Sequence, residues 1–204
     1  MSTSIGQLWD KKFSREGYFY GFEPNAFIAS KIDLLKPKSE VLCLGEGEGR
    51  NAVFLASKGF DVTALDASPI GMTKALMMAT NKGVSFQTEL LDLNQWNPSK
   101  SYDAIVTSYL HLEDPLRTEA FTKAIQTLKT DGYFIGEFFS INQMPRDSGG
   151  PKKTELLYTL SSLESIFSTP NCEIIYLKEE DILLDEGTGH QGQALVIRVI
   201  VKKV

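Results

Sequence analysis

The chain has 204 residues, of which 42% are hydrophobic and 23% charged, and these proportions are ordinary for a single globular domain. Its 21 lysines and arginines against 26 aspartates and glutamates give a formal net charge of −5, which disfavours a nucleic-acid binder that relies on a basic surface. The two cysteines, Cys43 and Cys172, are too few for a disulfide framework and too far apart for metal-ligand spacing, so we predict no metal site.

The sequence gives no sign of export or of a membrane segment. No stretch approaches the roughly 18 apolar residues that a spanning helix needs. The charged start, with Asp10, Lys11 and Lys12, lacks the apolar core of a signal peptide. We therefore expect a cytoplasmic protein that binds neither nucleic acid nor membrane and folds as one domain over residues 1–204.

Helix and strand signals alternate along the chain after an aromatic start. Residues 1–24 carry six aromatic side chains and are predicted to be irregular. Apolar runs predict strands at 41–44, 61–65, 85–90, 102–108, 132–139, 173–178 and 194–201. Amphipathic patterns with caps and stops predict helices at 26–35, 51–58, 69–81, 117–129 and 161–167, and residues 142–155 should form a loop.

This alternation is typical of an α/β sheet with helices on both faces. The last two strands follow each other through residues 187–190 without a helix between them, so the final strand should run antiparallel, as in a hairpin. We predict a mixed sheet of seven strands. An N-terminal lid or helix segment over 1–35 would precede a sheet domain over 36–204.

A glycine-rich loop follows the first strand, with glycine at 45, 47 and 49. Glycine lets a backbone turn sharply and approach a ligand closely, and the next helix offers its free N–H groups there. The dinucleotide fingerprint would need a third glycine where Arg50 stands, so that pattern fails. A tight strand-to-helix turn without any ligand is the alternative interpretation.

Two acids end the next two strands. Asp66 follows Gly45 by 21 residues, and a carboxylate there can accept hydrogen bonds from both hydroxyls of a ribose. Asp92 could accept a bond from an exocyclic amine. Ligands of open α/β sheets bind at this edge, so the loop and the two acids together favour an adenosine that carries no phosphate.

These residues resemble a known family. The run from Val41 to Asn51, with Asp66 and Asp92, is similar to the class I S-adenosylmethionine (SAM)-dependent methyltransferases, and more narrowly to the tellurite-resistance type and its thiol-methyltransferase relatives. Matches at Trp9-Asp10 and Gly149-Gly150 extend the resemblance over nearly the whole chain. It implies a Rossmann-like fold whose last strand is antiparallel, SAM as cofactor and S-adenosylhomocysteine as product.

The resemblance also implies a set of cofactor-binding residues. Gly45 and Gly47 would lie beneath the methionine part of the cofactor, and Arg50 and the backbone near Asn51 would lie near its carboxylate. Asp66 would hold the ribose, with Ala67 beside the adenine, and Asp92 with Leu93 would hold the adenine edge. Ser108 and Tyr109, after the fourth strand, would face the sulfonium.

The chain departs from the family at Cys43, where relatives usually carry an acid that helps to hold the amino group of the cofactor. Glu46 or Glu48 could substitute for that acid. Tyr20, within the aromatic start, could fold over the cofactor, because aromatic faces attract a sulfonium. Packing of these rings as ordinary core is the alternative.

The only two histidines are the candidate general bases, since histidine is the usual base near neutral pH. His111 follows the fourth strand, where the methyl group should lie, but it could instead be structural. His190 stands in the last connection, where tellurite-type relatives place a histidine toward the substrate, but it could be an exposed turn residue.

The leading hypothesis is SAM-dependent methyl transfer to a small-molecule nucleophile such as a thiol or a chalcogen oxyanion (tellurite or selenite). A binding module that holds SAM without turnover is an alternative, because the usual acid is missing at Cys43. A nicotinamide-dependent oxidoreductase is a further alternative, which the failed glycine spacing disfavours.

Overall fold

The computed structural model describes residues 4–204, so the first three residues of the predicted N-terminal segment lie outside the described part. The strands are β1 Glu40–Leu44, β2 Asp61–Asp66, β3 Gln87–Leu90, β4 Tyr102–Ser108, β5 Leu128–Phe139, β6 Cys172–Glu186 and β7 His190–Lys203. The α-helices are α1 Ile5–Phe13, α2 Ala26–Ala29, α3 Arg50–Ser57, α4 Pro69–Lys82, α5 Leu116–Thr127 and α6 Leu160–Phe167.

All seven strands form one sheet in the order β3-β2-β1-β4-β5-β7-β6. The first five strands are parallel to one another, and β7 lies antiparallel between β5 and β6. The predicted mixed sheet of seven strands with an antiparallel last strand is confirmed. Because β1, β2 and β4 are central and parallel, their carboxyl ends meet at one edge, where the predicted ligand groups stand.

The central strands are buried on both faces, which explains why they read as continuous apolar runs. In β1 the side chains alternate between two core clusters. Val41 and Cys43 pack with α2, α3 and α4 on one face, while Leu42 and Leu44 pack with α5 and α6 on the other. Helices therefore cover both faces, as predicted.

The prediction for residues 1–24 was wrong in part, because α1 is a regular helix. Ser4 caps it in a capping box with Gln7, a sequence signal that the aromatic composition obscured. The predicted helix 26–35 is also broken: α2 ends at Ala29, and only a 3₁₀ turn, Ile32–Leu34, follows.

The final hairpin is longer than its apolar pattern indicated. Ladder pairing continues to Glu186 and His190, so His190 begins β7 and is not part of the connection. Charged residues interrupt the apolar pattern of this outer hairpin, while the backbone ladder needs no such pattern to continue.

Helix α1 is fastened over the ligand edge of the sheet. Ser68 caps α4, and its side chain accepts the N–H of Gly71 at 3.0 Å. The carboxylate of Asp10 accepts from the Ser68 hydroxyl and from the Ile70 N–H. A carboxylate at this helix N-terminus is favourable, so Asp10 docks α1 against α4.

Within residues 4–204, no helix combines the length and the apolar character required to cross a bilayer.

We predict that Gly49→Ala destabilises the fold more than Gly59→Ala does. Both glycines have positive φ, 96° and 85°, which costs an alanine about 1–2 kcal/mol. At Gly49 the new Cβ would also lie 2.6 Å from Cα of Ala75 in α4, whereas at Gly59 nothing lies within 4 Å. Urea unfolding should show a further loss of about 1–3 kcal/mol for Gly49→Ala. Equal losses would contradict the close approach of α3 to α4.

Candidate functional site

Two adjoining cavities open at the carboxyl ends of β1, β2 and β4. The large cavity has a volume of about 290 Å³ and the small cavity about 60 Å³. They share walls at Trp9, Gly45, Asp66 and Leu110. Helix α1 therefore contributes to both cavities, through Trp9.

The large cavity is an apolar slot with acids along its wall. Ala67, Leu93 and Leu112 give it apolar surface, and Asp92 lies among them. The Asp92 side chain accepts the Asn94 N–H at 2.9 Å, which fixes the carboxylate at the start of a 3₁₀ turn. An apolar slot with one fixed acceptor suits a flat heterocycle that carries an amine.

The glycine loop has the close approach that its sequence predicted. Gly45 and Gly47 have φ of 69° and 65°, in the left-handed region that favours glycine. A Cβ on Gly45 would lie 2.7 Å from Leu110 Cδ1, and one on Gly47 would lie 3.0 Å from Phe13 Cζ. Side chains at either position would collide with the cavity walls.

The Asp66 carboxylate fixes this loop and also borders both cavities. Its Oδ2 accepts the Gly47 N–H and its Oδ1 accepts the Ser68 N–H, both at 2.8 Å. An ionised carboxylate offers about four acceptor positions, so each oxygen keeps capacity for one more donor. Burial raises the pKa of Asp66, and the backbone hydrogen bonds oppose that rise.

Glu46 occupies the amino end of α3. Its Oε1 accepts the N–H groups of Asn51 and Ala52, each at 2.8 Å. Burial raises the pKa of Glu46 to about 7, against those hydrogen bonds. Burial and the neighbouring Glu46 also raise the pKa of Cys43, so its thiol stays protonated.

Hydrogen bonds inside the protein hold Asn51. The resemblance implied that Arg50 and the backbone near Asn51 lie close to the cofactor carboxylate, and in the structure the Asn51 N–H donates to Glu46. Its side chain donates to Ser108 at 3.1 Å and accepts the Asn25 N–H at 2.9 Å. Asn51 lines neither cavity and instead positions Ser108, because an internal carboxylate replaces the external one.

Aromatic rings and His190 enclose the small cavity. The carbonyl of Phe19 accepts the N–H groups of Thr188 and Gly189, both at 3.0 Å, so the N-terminal segment docks on the turn of the β6–β7 hairpin. This contact brings the Tyr20 ring to 4.4 Å from the His190 ring, between centroids. The Tyr109 ring lies at the same distance on another side.

Tyr109 is held in a conformation that a non-glycine residue rarely adopts. Its φ is 54°, and its hydroxyl donates to the buried carboxylate of Glu137 at 2.5 Å. Arg198 donates to the same carboxylate at 2.5 Å and so balances its charge. This buried pair fixes the Tyr109 ring as a wall of the small cavity.

Glu186 is a site residue that sequence reasoning missed. Its carboxylate joins Arg50, at 3.0 and 3.1 Å, to Nδ1 of His190, at 2.8 Å. Glu186 and His190 face each other as the last ladder pair of the hairpin. In the sequence, Glu186 is only an acid that precedes a glycine turn, which is common. Its pairing with His190 follows from the long β6–β7 ladder, and the apolar pattern did not predict that ladder.

His111 borders the large cavity, and its ring stacks on Trp9 with centroids 6.2 Å apart. Its Nδ1 is buried without a hydrogen-bond partner in the described part of the chain. Burial lowers the pKa of His111 to about 3, so the ring is neutral at pH 7 and a weak base.

The structure brings together every predicted site residue except Asn51. Those that line the large cavity are Gly45, Asp66, Ala67, Asp92, Leu93 and His111. Those that line the small cavity are Tyr20, Gly45, Glu46, Gly47, Arg50, Asp66, Ser108, Tyr109 and His190. Among residues 4–204 no cluster of acidic, histidine or cysteine side chains has the geometry to hold a metal ion.

Residues 41–132 match the family model described as a methyltransferase domain. The chain is 33% identical over 73 residues to hemagglutinin 1 of Eikenella corrodens, a segment that covers 36% of this chain and 24% of that protein. It is 30% identical over 101 residues to the probable S-adenosyl-L-methionine-dependent methyltransferase TehB of Haemophilus influenzae, covering 48% of this chain and 35% of that protein. The matched segments thus span only about a quarter to a third of these relatives.

Solved structures share the whole fold. The crystal structure of TehB from Haemophilus influenzae superposes with a TM-score of 0.73 at 19% identity, covering 98% of this chain and 67% of that one. NodS, an N-methyltransferase from Bradyrhizobium japonicum in complex with S-adenosyl-L-homocysteine, gives 0.71 at 14% identity, covering 97% of each chain. This likeness confirms the predicted Rossmann-like fold, and the sequence matches make the chain similar to SAM-dependent methyltransferases such as TehB.

We predict that Glu46 makes the ligand-free protein lose stability as the pH rises. Its folded-state pKa of about 7 lies above the ordinary value of 4.5, so the folded state binds more protons between these values. Glu46→Gln removes this loss. From pH 5 to pH 8, its unfolding free energy should rise relative to the wild type by about 2–3 kcal/mol.

Urea unfolding at the two pH values measures this difference. Glu48→Gln is the matched control, because the same change falls two residues away at a carboxylate paired with Lys74. A difference between Glu46→Gln and wild type that stays constant with pH would contradict the prediction.

Proposed function

We propose that this chain, with its methyltransferase domain over residues 41–132, transfers a methyl group from SAM to a small-molecule nucleophile. One observation carries the proposal: the large cavity, which suits a nucleoside, meets the aromatic small cavity at Asp66 and Gly45. If SAM spans both cavities, its sulfonium would lie at this junction, and the methyl acceptor would enter the small cavity.

The residues fit the nucleoside end of SAM. The two cavities, about 290 and 60 Å³, together reach the lower end of the roughly 300–1,000 Å³ typical of ligand sites. Asp66 would hold the ribose with its remaining acceptor positions. Asp92 would accept from the adenine amine, between the apolar walls of Ala67 and Leu93.

The methionine end would lie against Gly45 and Gly47, beside Arg50. Glu46 is the better substitute for the acid that relatives carry at Cys43, because its carboxylate lines the small cavity and contacts the Cys43 thiol. Glu48 is less suited, since it binds Lys74 and the Phe19 N–H instead.

SAM supplies an electrophilic methyl group on a sulfonium. The protein then needs to align the acceptor with that group and to exclude water, since charge is dispersed or neutralised during transfer. The rings of Trp9, Tyr20 and Tyr109 line the small cavity and serve both needs. Aromatic faces near a sulfonium also contribute about 0.5–2 kcal/mol.

A small thiol is the acceptor that this cavity fits best. The cavity is narrow and its wall includes the rings of Tyr20, Tyr109 and His190, so it suits a small uncharged acceptor beside the methionine end of SAM. Arg50 is the one arginine among the described residues that line it, and Glu186 already balances that charge. An oxyanion such as tellurite would lack an unpaired cation, so it is the second candidate.

Titration calorimetry tests the cofactor assignment. We expect SAM and S-adenosylhomocysteine to bind at micromolar concentrations and NAD not to bind. Asp66→Ala removes a charged acceptor worth about 1.5–3 kcal/mol, so the dissociation constants should rise about 10-fold to 150-fold. Asp61→Ala, at the exposed start of the same strand, is the control. No binding of either SAM or its product would contradict the proposal.

A methyl-transfer assay with 2-mercaptoethanol, selenite and tellurite tests the activity. We expect S-adenosylhomocysteine to accumulate with the thiol and the methylated thiol to appear by mass spectrometry. SAM binding without methyl transfer to any of the three would favour a binding module without turnover over a small-molecule methyltransferase.

A further inference from the structure

The Glu186 carboxylate has two different donors in the small cavity wall. Arg50 contacts both of its oxygens, and Nδ1 of His190 lies 2.8 Å from Oε2. Both partners are buried, so the carboxylate is largely shielded from water. No protein group of residues 4–204 forms a hydrogen bond with the other ring nitrogen of His190, Nε2.

The contacts of Glu186 define the proton positions. Burial raises its pKa, but the hydrogen bond from His190 and the charge of Arg50 outweigh burial, and the pKa falls below its ordinary value. Glu186 is therefore ionised at neutral pH and can only accept. The His190 nitrogen that faces it, Nδ1, must then carry a hydrogen.

His190 itself is neutral at pH 7. Burial lowers its pKa, with Arg50 and Lys12 adding to the fall and Glu186 opposing it. The other groups that face the ring are Tyr20, Tyr109 and Phe139, from three separate segments, and none of these is charged at this pH. A neutral imidazole with a hydrogen on Nδ1 has a free lone pair on Nε2.

We propose that Glu186 is a positioning residue that holds His190 in the Nδ1–H tautomer, so that Nε2 takes the proton of a thiol acceptor during methyl transfer. The proposal rests on the function proposed above. On this proposal the acceptor enters the small cavity as a thiol and loses its proton there.

The step balances without any further reactant. The S–H bond of the thiol breaks, its proton goes to Nε2, and His190 becomes an imidazolium paired with Glu186. The electron pair of the thiol sulfur forms the new bond to the methyl carbon. The pair of the broken carbon–sulfonium bond stays with the donor sulfur, which leaves as neutral S-adenosylhomocysteine.

Glu186→Ala removes the acceptor that fixes the tautomer. Glu186→Gln would not, because Arg50 and His190 Nδ1 both bond Oε2, and one amide oxygen at that position could accept from both. In Glu186→Ala no described residue accepts the hydrogen of Nδ1, so that hydrogen should move to Nε2. Nε2 then has no lone pair with which to accept a proton.

Nitrogen NMR of the ligand-free protein tests the tautomer directly. The sequence has only two histidines, so His190→Asn assigns both rings. We expect the Nδ1–H form of His190 at pH 7.5 in the wild type and the Nε2–H form in Glu186→Ala. Glu180→Ala, on the same strand and paired with Arg198, is the control that should keep Nδ1–H. An Nε2–H ring in the wild type, or no change in Glu186→Ala, would overturn the proposal.

Kinetics with 2-mercaptoethanol test the proton-acceptor role. We expect kcat of Glu186→Ala to fall on the order of 100-fold at pH 7, with the KM for SAM changed less than about threefold. The deficit should close as the pH rises through the pKa of the thiol, because thiolate needs no base. A deficit independent of pH, or transfer to tellurite but never to the thiol, would overturn this role.

The two measurements separate the possible failures. An Nδ1–H ring in a protein that binds no SAM or transfers no methyl group would refute the proposed function and leave the Glu186 contact standing. Methyl transfer with an Nε2–H ring would refute the positioning role alone.

Discussion

The hydrogen bonds of the Asp66 carboxylate are the constraint on which the rest of the site depends. One oxygen holds the glycine loop at Gly47, and the other holds Ser68 at the start of α4. Ser68 in turn binds Asp10, which docks α1. A single buried acid at the end of β2 thus connects the loop below the cavities, the helix beside them and the helix above them. Its burial disfavours the charge, and the backbone donors offset that cost.

A second set of charges stands behind the wall of the small cavity, and here each charge is paired with another side chain. Arg50 with Glu186, and Arg198 with Glu137, are paired inside the protein, so neither leaves an isolated charge facing the small cavity. These pairs hold the His190 and Tyr109 rings at fixed angles. The small cavity thus has aromatic walls, and its arginine is paired while the carboxyl groups of Asp66 and Glu46 also line it. On the proposed function, such a wall favours a small uncharged acceptor over a strongly hydrated anion.

The sequence predicted the sheet well because its strands are buried on both faces and its helices carry caps. Ser68 and Gly83 mark α4 unambiguously, and the glycine loop and Asp66 locate the ligand edge. It failed where tertiary contacts decide. The outer hairpin continues through charged residues because its backbone ladder does not depend on them. The miss at α1 is of another kind, since its capping box, Ser4 with Gln7, is a local signal that precedes the aromatic residues. The Glu186–His190 contact follows from that ladder alone, which is why no local pattern indicated it.

The segment that matches the methyltransferase model, residues 41–132, contains most of the large cavity but only part of the small one. Trp9, Phe13, Tyr20 and His190 all lie outside it and come from the two ends of the chain. The two halves of the site are therefore encoded in separate stretches. Replacement of the terminal segments could change what the small cavity admits while the loop, Asp66 and Asp92 stay untouched. On the proposed function, the methyl acceptor could therefore change without any change in the residues proposed to hold the nucleoside.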